Sequence, residues 1–301
     1  MRGSHAHYGD FGPNRICESA IPEEYKSTAY TQLHDVMWRN YSAGPATVCQ
    51  RAKDANVKWS VVSPVGGLIP RGRWGEGGAD AFKANEDCAK VVEAHDGLLQ
   101  WVIVNPFQRE TFEQAEAMLR TPKCVGIKLH PEEHCYRITE KGGELFDFAA
   151  RNNALVMCHS GHRNSVPEDY IPFADAHPDM NVILAHLGNS GDIGDGDPTH
   201  HVRAINASAH GNVYTDTSSS ASVSAGLVEY AIKHWCAQPL ASDSSRCLAQ
   251  SQSRWAASLT PMPSLCSSGA DKILFGSDTP NYFTGMQRAR IDYAECTEAH
   301  K

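Results

Sequence analysis

The sequence predicts an α/β protein, a (β/α)8 TIM barrel with a serine-rich insertion before its last strand. Two observations carry this prediction: short apolar runs alternate with helix-like segments, and polar side chains collect where the runs end. Alternation of this kind favours parallel strands joined by crossover helices. No GxGxxG motif follows a strand, which argues against an open dinucleotide-binding sheet.

Eight strands and five of the helices between them are predicted from these runs. The first helix begins with Glu110 and ends with Arg120, the charge order that a helix dipole favours. The strands are Gly3–His7, Lys58–Ser63, Leu99–Asn105, Val125–His130, Ala154–His159, Asn181–His186, Asn212–Thr217 and Lys272–Asp278. The helices are Glu110–Arg120, Glu140–Asn152, Pro167–His177, His200–His210 and Ser222–Trp235.

Residues 1–301 are predicted to form one barrel domain, because a barrel of this kind commonly takes ~250 residues. Residues 236–269 interrupt the alternation, with nine serines and three charged residues in 34 positions. Such a composition does not form its own core. We expect a surface insertion, with a lid over the site as the alternative.

Composition excludes several classes of function. The chain has 27 Lys and Arg against 35 Asp and Glu, a net charge of −8, which gives no general attraction to nucleic acid or to an anionic membrane. No apolar run approaches the ~20 residues that span a bilayer, and the N-terminus has no apolar signal region. With ten scattered cysteines, this predicts a cytoplasmic protein with free thiols that acts on a small molecule.

Histidine or aspartate closes most of the predicted strands. Catalytic residues of a barrel lie at the carboxyl ends of its strands, where these side chains would meet. Successive side chains of a strand point to opposite faces. This alternation predicts that Lys128 and His130 point into the barrel, opposite Val125, Ile127 and Leu129. The strand-end residues are His5, His7, His130, His159, His186 and Asp278.

Neutral imidazoles with one carboxylate are the ligands that Zn²⁺ and similar divalent ions prefer. We therefore assign His5, His7, His159 and Asp278 to one divalent ion, Zn²⁺ first and Mn²⁺ as the alternative. Such an ion lowers the pKa of a bound water to ~7. Asp278 also lies where it could accept the proton of that water.

Six motifs together resemble the amidohydrolase-related (amidohydrolase 2) family of metal-dependent TIM-barrel hydrolases, which also includes decarboxylases. They are HAHYG at 5–9, GIKLHP at 126–131, CHSG at 158–161, ILAHLG at 183–188, NVYTDTS at 212–218 and ILFGSDTP at 273–280. The resemblance implies a metal on the HxH pair, on His159 and on Asp278. It also implies that His186 activates or orients the water, and it makes a homodimer an expectation.

Five residues are candidates for binding the substrate. Lys128 and His130 face inward, Arg163 follows CHSGH, and Arg71 and Arg73 lie in a glycine-rich loop after the second strand. A guanidinium suits bidentate binding of a carboxylate. Two alternatives stay open for Lys128: a carbamylated lysine that bridges metal ions, and a structural ion pair with a neighbouring acid.

The residues and the resemblance together favour a metal-dependent hydrolase of a small carboxylated ester, lactone or amide. His186 and Asp278 would be its catalytic residues. A decarboxylase of an aromatic or unsaturated acid is the first alternative. An inactive barrel that binds metal is the second, because few residues precede the HxH pair. Asp216 is a weaker candidate that shares an inward face with Tyr214.

Overall fold

Eight parallel strands, hydrogen-bonded in chain order, form a single sheet. The computed structural model describes residues 2–8, 43–68, 80–189, 197–218, 226–234, 269–280 and 282–296. The strands are β1 Arg2–Tyr8, β2 Trp59–Pro64, β3 Leu98–Ile103, β4 Cys124–Leu129, β5 Leu155–Cys158, β6 Val182–Leu184, β7 Val213–Asp216 and β8 Ile273–Leu274.

A helix follows each strand in the described part of the chain, as the (β/α)8 prediction requires. The helices are α1 Pro45–Asp54, α2 Ala81–Ala94, α3 Glu110–Met118, α4 Ile138–Arg151, α5 Ile171–Ala176, α6 Thr199–Ala207, α7 Leu227–His234 and α8 Thr284–Asp292. Short 3₁₀ turns cover Val65–Gly67, Pro167–Tyr170 and Gly269–Lys272.

Backbone hydrogen bonds join the first strand to the segment that follows the last one. The Ser4 N–H donates to the Phe275 carbonyl at 2.8 Å, and the Ser277 N–H donates to the His5 carbonyl at 3.0 Å. The sheet therefore curls until its two ends meet. The closure also brings the HxH pair of β1 next to the aspartate that follows β8.

Helix α4 shows how the sequence specifies an outer element. Glu140 lies in its first turn and Arg151 in its last, so both charges complement the helix dipole. Leu145, Phe146 and Ala149 share one face and are fully buried. This apolar stripe packs the helix into the core between the strands and the helical layer.

The predicted strands all exist, but several end earlier than the apolar runs do. β5 ends at Cys158 and β6 at Leu184, so His159 and His186 lie just past their strands. The predicted helix Pro167–His177 is a 3₁₀ turn followed by the short α5, because Pro172 removes a backbone donor near its start. The predicted insertion lies outside the described residues except for Gly269.

Strand parity is right for most of β4 and wrong at one position. Ile127 and Leu129 pack in the outer core, whereas Val125 packs against the inner cluster around Trp101. The pairing register of β3 with β4 shifts there and leaves Val125 as an extra residue. This bulge breaks the two-residue alternation, so side chains before it exchange faces.

No helix within the described ranges is long and apolar enough to cross a membrane. Six cysteines fall in the described residues, and all six are free. They are Cys49, Cys88, Cys124, Cys135, Cys158 and Cys296. The expectation of free thiols is confirmed for these six positions.

Candidate metal centre

The barrel brings His5, His7 and Asp278 together in a buried cluster, called the triad below. The Nε2 atoms of His5 and His7 lie 3.0 Å apart. Asp278 Oδ1 lies 3.2 Å from His7 Nε2 and 3.9 Å from His5 Nε2. Three potential ligand atoms of the predicted metal site therefore converge from β1 and from the segment after β8.

The outer nitrogens of the two triad histidines have acceptors, which sets their tautomers. His7 Nδ1 lies 2.9 Å from the Ser63 carbonyl oxygen, which only accepts, so Nδ1 carries the proton. His5 Nδ1 lies 2.9 Å from Ser218 Oγ and 3.5 Å from the Asp216 carboxylate. In the neutral rings both Nε2 atoms then present lone pairs to each other.

This arrangement fits a divalent cation. Two imidazole lone pairs and a carboxylate oxygen within 4 Å of one another repel. The Lys128 ammonium, 3.0 Å from His5 Nε2, offsets part of this repulsion, and a cation among the three atoms would offset all of it. Zn²⁺ and Mn²⁺ accept this mixture of nitrogen and oxygen donors. The Nδ1–H of His7 is bound to a carbonyl, and that of His5 to a hydroxyl beside a carboxylate; partners of this kind usually orient metal-binding histidines.

The electrostatics of the triad favour a neutral His5 and an ionised Asp278. Burial, and then the charge of Lys128, lowers the pKa of His5 to about 3. Burial alone would raise the pKa of Asp278, but the contact with His7 and the nearby His186 and His5 hold it below its usual range. Both groups are thus in the protonation state that a metal ligand needs.

Lys128 lies beside the triad, as its inward parity predicted. Its side chain is fully buried and its Nζ is 3.0 Å from His5 Nε2. Burial lowers the pKa of Lys128 to about 8, against the opposing effect of Asp278 and Asp216. The ammonium group is therefore placed to contact any anionic or carbonyl oxygen that binds at the triad.

His159 lies at the edge of this cluster rather than between its members. Its Nδ1 is 3.0 Å from His186 Nε2. His186 Nδ1 faces the Ser218 carbonyl at 3.2 Å, so Nδ1 carries the His186 proton and Nε2 accepts from His159. That leaves a lone pair on the buried Nε2 of His159, which has no partner among the described residues. Its assignment as a metal ligand stays a prediction.

Three parallel imidazoles, called the histidine stack below, line the ends of β4 and β5. The ring centroid of His159 lies 4.0 Å from that of His130 and 5.0 Å from that of His162, with interplanar angles of 16° and 6°. Burial, followed by neighbouring positive groups, holds the pKa values of His130 and His159 well below the ordinary value. His130 and His159 are therefore neutral near pH 7.

The structure describes one of the three arginine candidates, Arg163. Arg163 is exposed on the loop after β5, at the same end of the barrel as the histidine stack. Arg71 and Arg73 lie outside the described residues. Substrate binding by these three residues and by His130 stays a prediction.

Ser218 and Asp216 at the end of β7 are central to the cluster, and sequence reasoning missed the first of them. Ser218 Oγ contacts His5 Nδ1 and also His186 Nδ1, the latter at 3.0 Å. The available signal was their two-residue spacing in NVYTDTS, which places both on one face. His5, His186 and Asp216 form a second group of potential metal ligands. The Nδ1 atoms of both histidines are already hydrogen-bonded, which favours the triad.

Comparison with known proteins relates this fold and site to one family. A sequence profile described as amidohydrolase matches residues 50–300, a range that begins after β1. No curated protein matches the chain in sequence.

Solved structures of similar fold span almost the whole chain at low sequence identity. A 2,6-dihydroxybenzoate decarboxylase from Rhizobium has 13% identity and a TM-score of 0.60, over 100% of this chain and 95% of that one. A 5-carboxyvanillate decarboxylase from Novosphingobium aromaticivorans, complexed with manganese, has 12% identity and a TM-score of 0.60, over 99% and 91%. A probable 2-pyrone-4,6-dicarboxylic acid hydrolase from Acinetobacter baumannii has 13% identity and a TM-score of 0.50, over 94% and 85%.

The profile match covers most of the chain, and the strand order, barrel closure and strand-end histidines agree with it. The chain belongs to the amidohydrolase family.

Proposed function

We propose that this protein is a metal-dependent hydrolase of a small carboxylated ester, lactone or amide. The observation that carries the proposal is the convergence of His5 Nε2, His7 Nε2 and Asp278 Oδ1, with the Lys128 ammonium 3.0 Å from the first of them. Ligand atoms for a cation and a fixed positive charge for a substrate oxygen thus lie side by side. A site of this kind suits a substrate with a carbonyl and a carboxylate.

Each residue of the site has its own role in the proposed reaction. His5, His7, Asp278 and His159 would hold a Zn²⁺ or Mn²⁺ ion. When bound, such an ion polarises the scissile carbonyl and lowers the pKa of water. Lys128 donates a hydrogen bond to the substrate oxygen on which negative charge develops.

Proton transfer in this proposal begins at Asp278. Its pKa is held below the usual range, so the carboxylate is ionised at neutral pH and accepts the proton of the attacking water. His186, whose ring centroid lies 5.0 Å from that of His5, would orient the water and relay the proton to the leaving group after its Nε2 exchanges the hydrogen bond with His159 for one with the water. His130 and Arg163 are proposed to contact the distal part of the substrate.

Decarboxylation of an aromatic acid is the second candidate. It is supported by the two decarboxylases of similar fold, one of them complexed with manganese. The same Lys128 ammonium would then hold the carboxylate that leaves as CO2. At their low sequence identity these proteins establish the fold alone, so the choice of reaction is left to an assay.

The test uses the full chain, stripped of metal with a chelator and reconstituted with Zn²⁺ or Mn²⁺. A panel of carboxylated lactones, esters and aromatic acids is scored separately for proton release and for CO2. We expect metal-dependent proton release from a lactone or ester. CO2 release without hydrolysis would replace the hydrolase proposal by the lyase. Stoichiometric metal binding with neither product would leave a metal-binding barrel.

A matched pair of variants ties turnover to the triad. His7→Gln removes one ligand atom, and we expect loss of bound metal and of turnover together. His177→Gln is the control, because this partly exposed histidine contacts Asp147 on the outer helical layer. Equal effects of the two substitutions would exclude the triad as the site.

A further inference from the structure

One hydroxyl group connects two histidines of the site to a buried carboxylate. Ser218 Oγ lies 2.9 Å from His5 Nδ1, 3.0 Å from His186 Nδ1 and 2.5 Å from Asp216 Oδ1. A hydroxyl has one proton to donate and two lone pairs to accept with. An ionised carboxylate only accepts, so the Ser218 proton points to Asp216 and both lone pairs face the imidazoles.

Hydrogen-bond donors surround the Asp216 carboxylate, so both of its oxygens act as acceptors. It is fully buried. It accepts hydrogen bonds from the Ser4 hydroxyl at 3.1 Å, from the Ser218 N–H at 3.1 Å and from the His186 N–H at 3.0 Å. Its Oδ2 lies 3.5 Å from His5 Nδ1. A buried carboxylate with several such donors stays ionised.

The His186 backbone depends on the same carboxylate. His186 has a φ of 73°, in the left-handed region that non-glycine residues seldom adopt. The hydrogen bond from its N–H to Asp216 Oδ1 holds the peptide in this conformation. Asp216 thus fixes the backbone of one site histidine and lies against the ring of the other.

The segment that follows β8 leaves room for Asp216 and Ser218. A Cβ atom on Gly276 would lie 2.5 Å from Asp216 Oδ2 and 2.8 Å from Ser218 Cβ. Any side chain at Gly276 would therefore displace the carboxylate or the serine. The glycine of ILFGSD is explained by this close approach.

We propose that Asp216, directly and through the Ser218 hydroxyl, is the positioning residue that keeps His5 and His186 in the tautomer with the proton on Nδ1. It acts together with the Ser218 carbonyl, 3.2 Å from His186 Nδ1, and with the Lys128 ammonium, 3.0 Å from His5 Nε2. The Nε2 of His5 is then a lone pair available to a cation, and the Nε2 of His186 accepts from His159. The consequence for metal binding rests on the proposed function. The assignment of tautomers does not, because it concerns hydrogen bonds within the chain.

The test compares Asp216→Asn and Ser218→Ala with a matched control, Thr217→Val. The asparagine oxygen is expected at the Oδ1 position, where three donors lie, so its NH2 group faces His5 Nδ1. Two donors facing each other at Nδ1 would drive the His5 proton to Nε2, against the Lys128 ammonium that lies 3.0 Å from that atom. Thr217 is the control because its buried hydroxyl contacts the Gly276 backbone instead of a histidine.

The first measurement uses metal-free protein. Long-range ¹H–¹⁵N spectra of the imidazoles report the tautomer of each ring, with assignments from His5→Gln and His186→Gln. We expect Nδ1–H for both rings in the wild type and a switch to Nε2–H at His5 alone in Asp216→Asn. In Ser218→Ala both Nδ1–H signals should shift and exchange faster with water, because their shared acceptor is gone.

The second measurement is titration with Mn²⁺ or Zn²⁺. Loss of a residue that orients a metal ligand typically lowers metal affinity 10- to 100-fold. We expect the upper end of this range for Asp216→Asn, about tenfold for Ser218→Ala and no change for Thr217→Val. Circular dichroism and thermal unfolding establish that each variant is folded.

Three outcomes would overturn the proposal. The first is an unchanged His5 tautomer and affinity in Asp216→Asn; if that variant does not fold, the same result in Ser218→Ala decides. The second is an equal loss of affinity in Thr217→Val, which would mean a general structural effect. The third is a wild-type His5 that carries its proton on Nε2. A wild-type protein that binds neither ion would instead contradict the proposed function, while the tautomer spectra would still test the pair.

Discussion

The triad and the histidine stack lie at the same end of the barrel, yet they are built differently. The triad contains a carboxylate, and its two imidazoles meet edge to face, at 81°. The stack has no carboxylate among its members, and its rings lie face to face at 4.0 and 5.0 Å. Strand-end histidines thus lead to two kinds of surface, one that attracts a cation and one that presents flat imidazole faces.

The difference follows from what supports each ring. In the triad, His7 Nδ1 is bound to a carbonyl and His5 Nδ1 lies near a carboxylate, so lone pairs collect on the Nε2 side. In the stack, His130 Nδ1 accepts the Glu133 N–H at 3.3 Å and His162 contacts the Asn189 amide at 3.1 Å. A histidine is therefore a better metal candidate when its outer nitrogen donates to a fixed acceptor.

The largest effect is expected when the triad loses its carboxylate charge. Asp278→Asn keeps the shape but removes an anionic ligand atom and the proposed proton acceptor. General acid–base groups contribute ~10²–10⁴-fold, so we expect turnover to fall about 1000-fold, with weaker metal binding. The steady-state rate and metal content of the purified variant measure both.

Asp271→Asn is the control for that comparison. Asp271 is exposed and precedes β8, so its substitution removes the same charge away from the triad. We expect wild-type turnover and metal content. A comparable loss in the two variants would show that net charge matters and that the triad does not.

Substitution of His159 tests whether the histidine stack contributes a ligand to the metal site. His159→Gln removes the buried lone pair on Nε2, and loss of a direct ligand should cost more than the ~10–100-fold typical of supporting residues. His130→Phe keeps a flat ring against His159 and should change metal affinity less than tenfold. If isothermal titration gives equal affinities for wild type and His159→Gln, His159 is no ligand.

Buried histidines outside both regions predict acid sensitivity of the fold. Burial lowers the pKa of His201 to about 4, and its Nδ1 has no hydrogen-bond partner among the described residues. Below pH 6.5 the unfolded chain takes up a proton that the folded chain does not, so stability falls as pH falls towards 4. One such group lowers the free energy of unfolding by about 2 kcal/mol between pH 7.5 and pH 5.

The dependence of the free energy of unfolding on pH distinguishes the titration of His201 from other causes of lost stability. His201→Gln keeps a donor for Ser160, so we expect it to reduce the loss between pH 7.5 and pH 5 by about 2 kcal/mol in urea unfolding. His134, whose pKa burial also lowers to about 4, gives an independent second variant, His134→Gln. If the free energy of unfolding falls with pH as steeply in both variants as in the wild type, His201 and His134 are not the groups responsible.

The fold and much of the site were predictable because they follow from local periodicity. Alternation along β4 placed Lys128 inward, and the strand ends placed His5, His7 and Asp278 at one mouth. The sequence could not reveal the bulge at Val125, since that depends on the register with β3.

The role of Ser218 was equally hidden from the sequence. It arises from two tertiary contacts, to His5 and His186, combined with a local contact to Asp216 two residues earlier. His159 shows the same limit from the other side. Its position after β5 follows from the apolar run, but its pairing with His186 depends on how β5 and β6 lie side by side in the barrel.

The smallest effect is expected at the outer edge of the stack, where Arg163 is exposed. If this guanidinium contacts the substrate carboxylate, the ion pair is solvated and contributes about 1 kcal/mol. Arg163→Ala should then raise KM about fivefold and leave kcat unchanged, because the contact is the same in ground and transition states. Arg151→Ala, an exposed arginine at the end of α4, is the control and should change neither constant. An unchanged KM in Arg163→Ala would remove this residue from the substrate site, whereas a fall in kcat would place it nearer the triad than its exposure indicates.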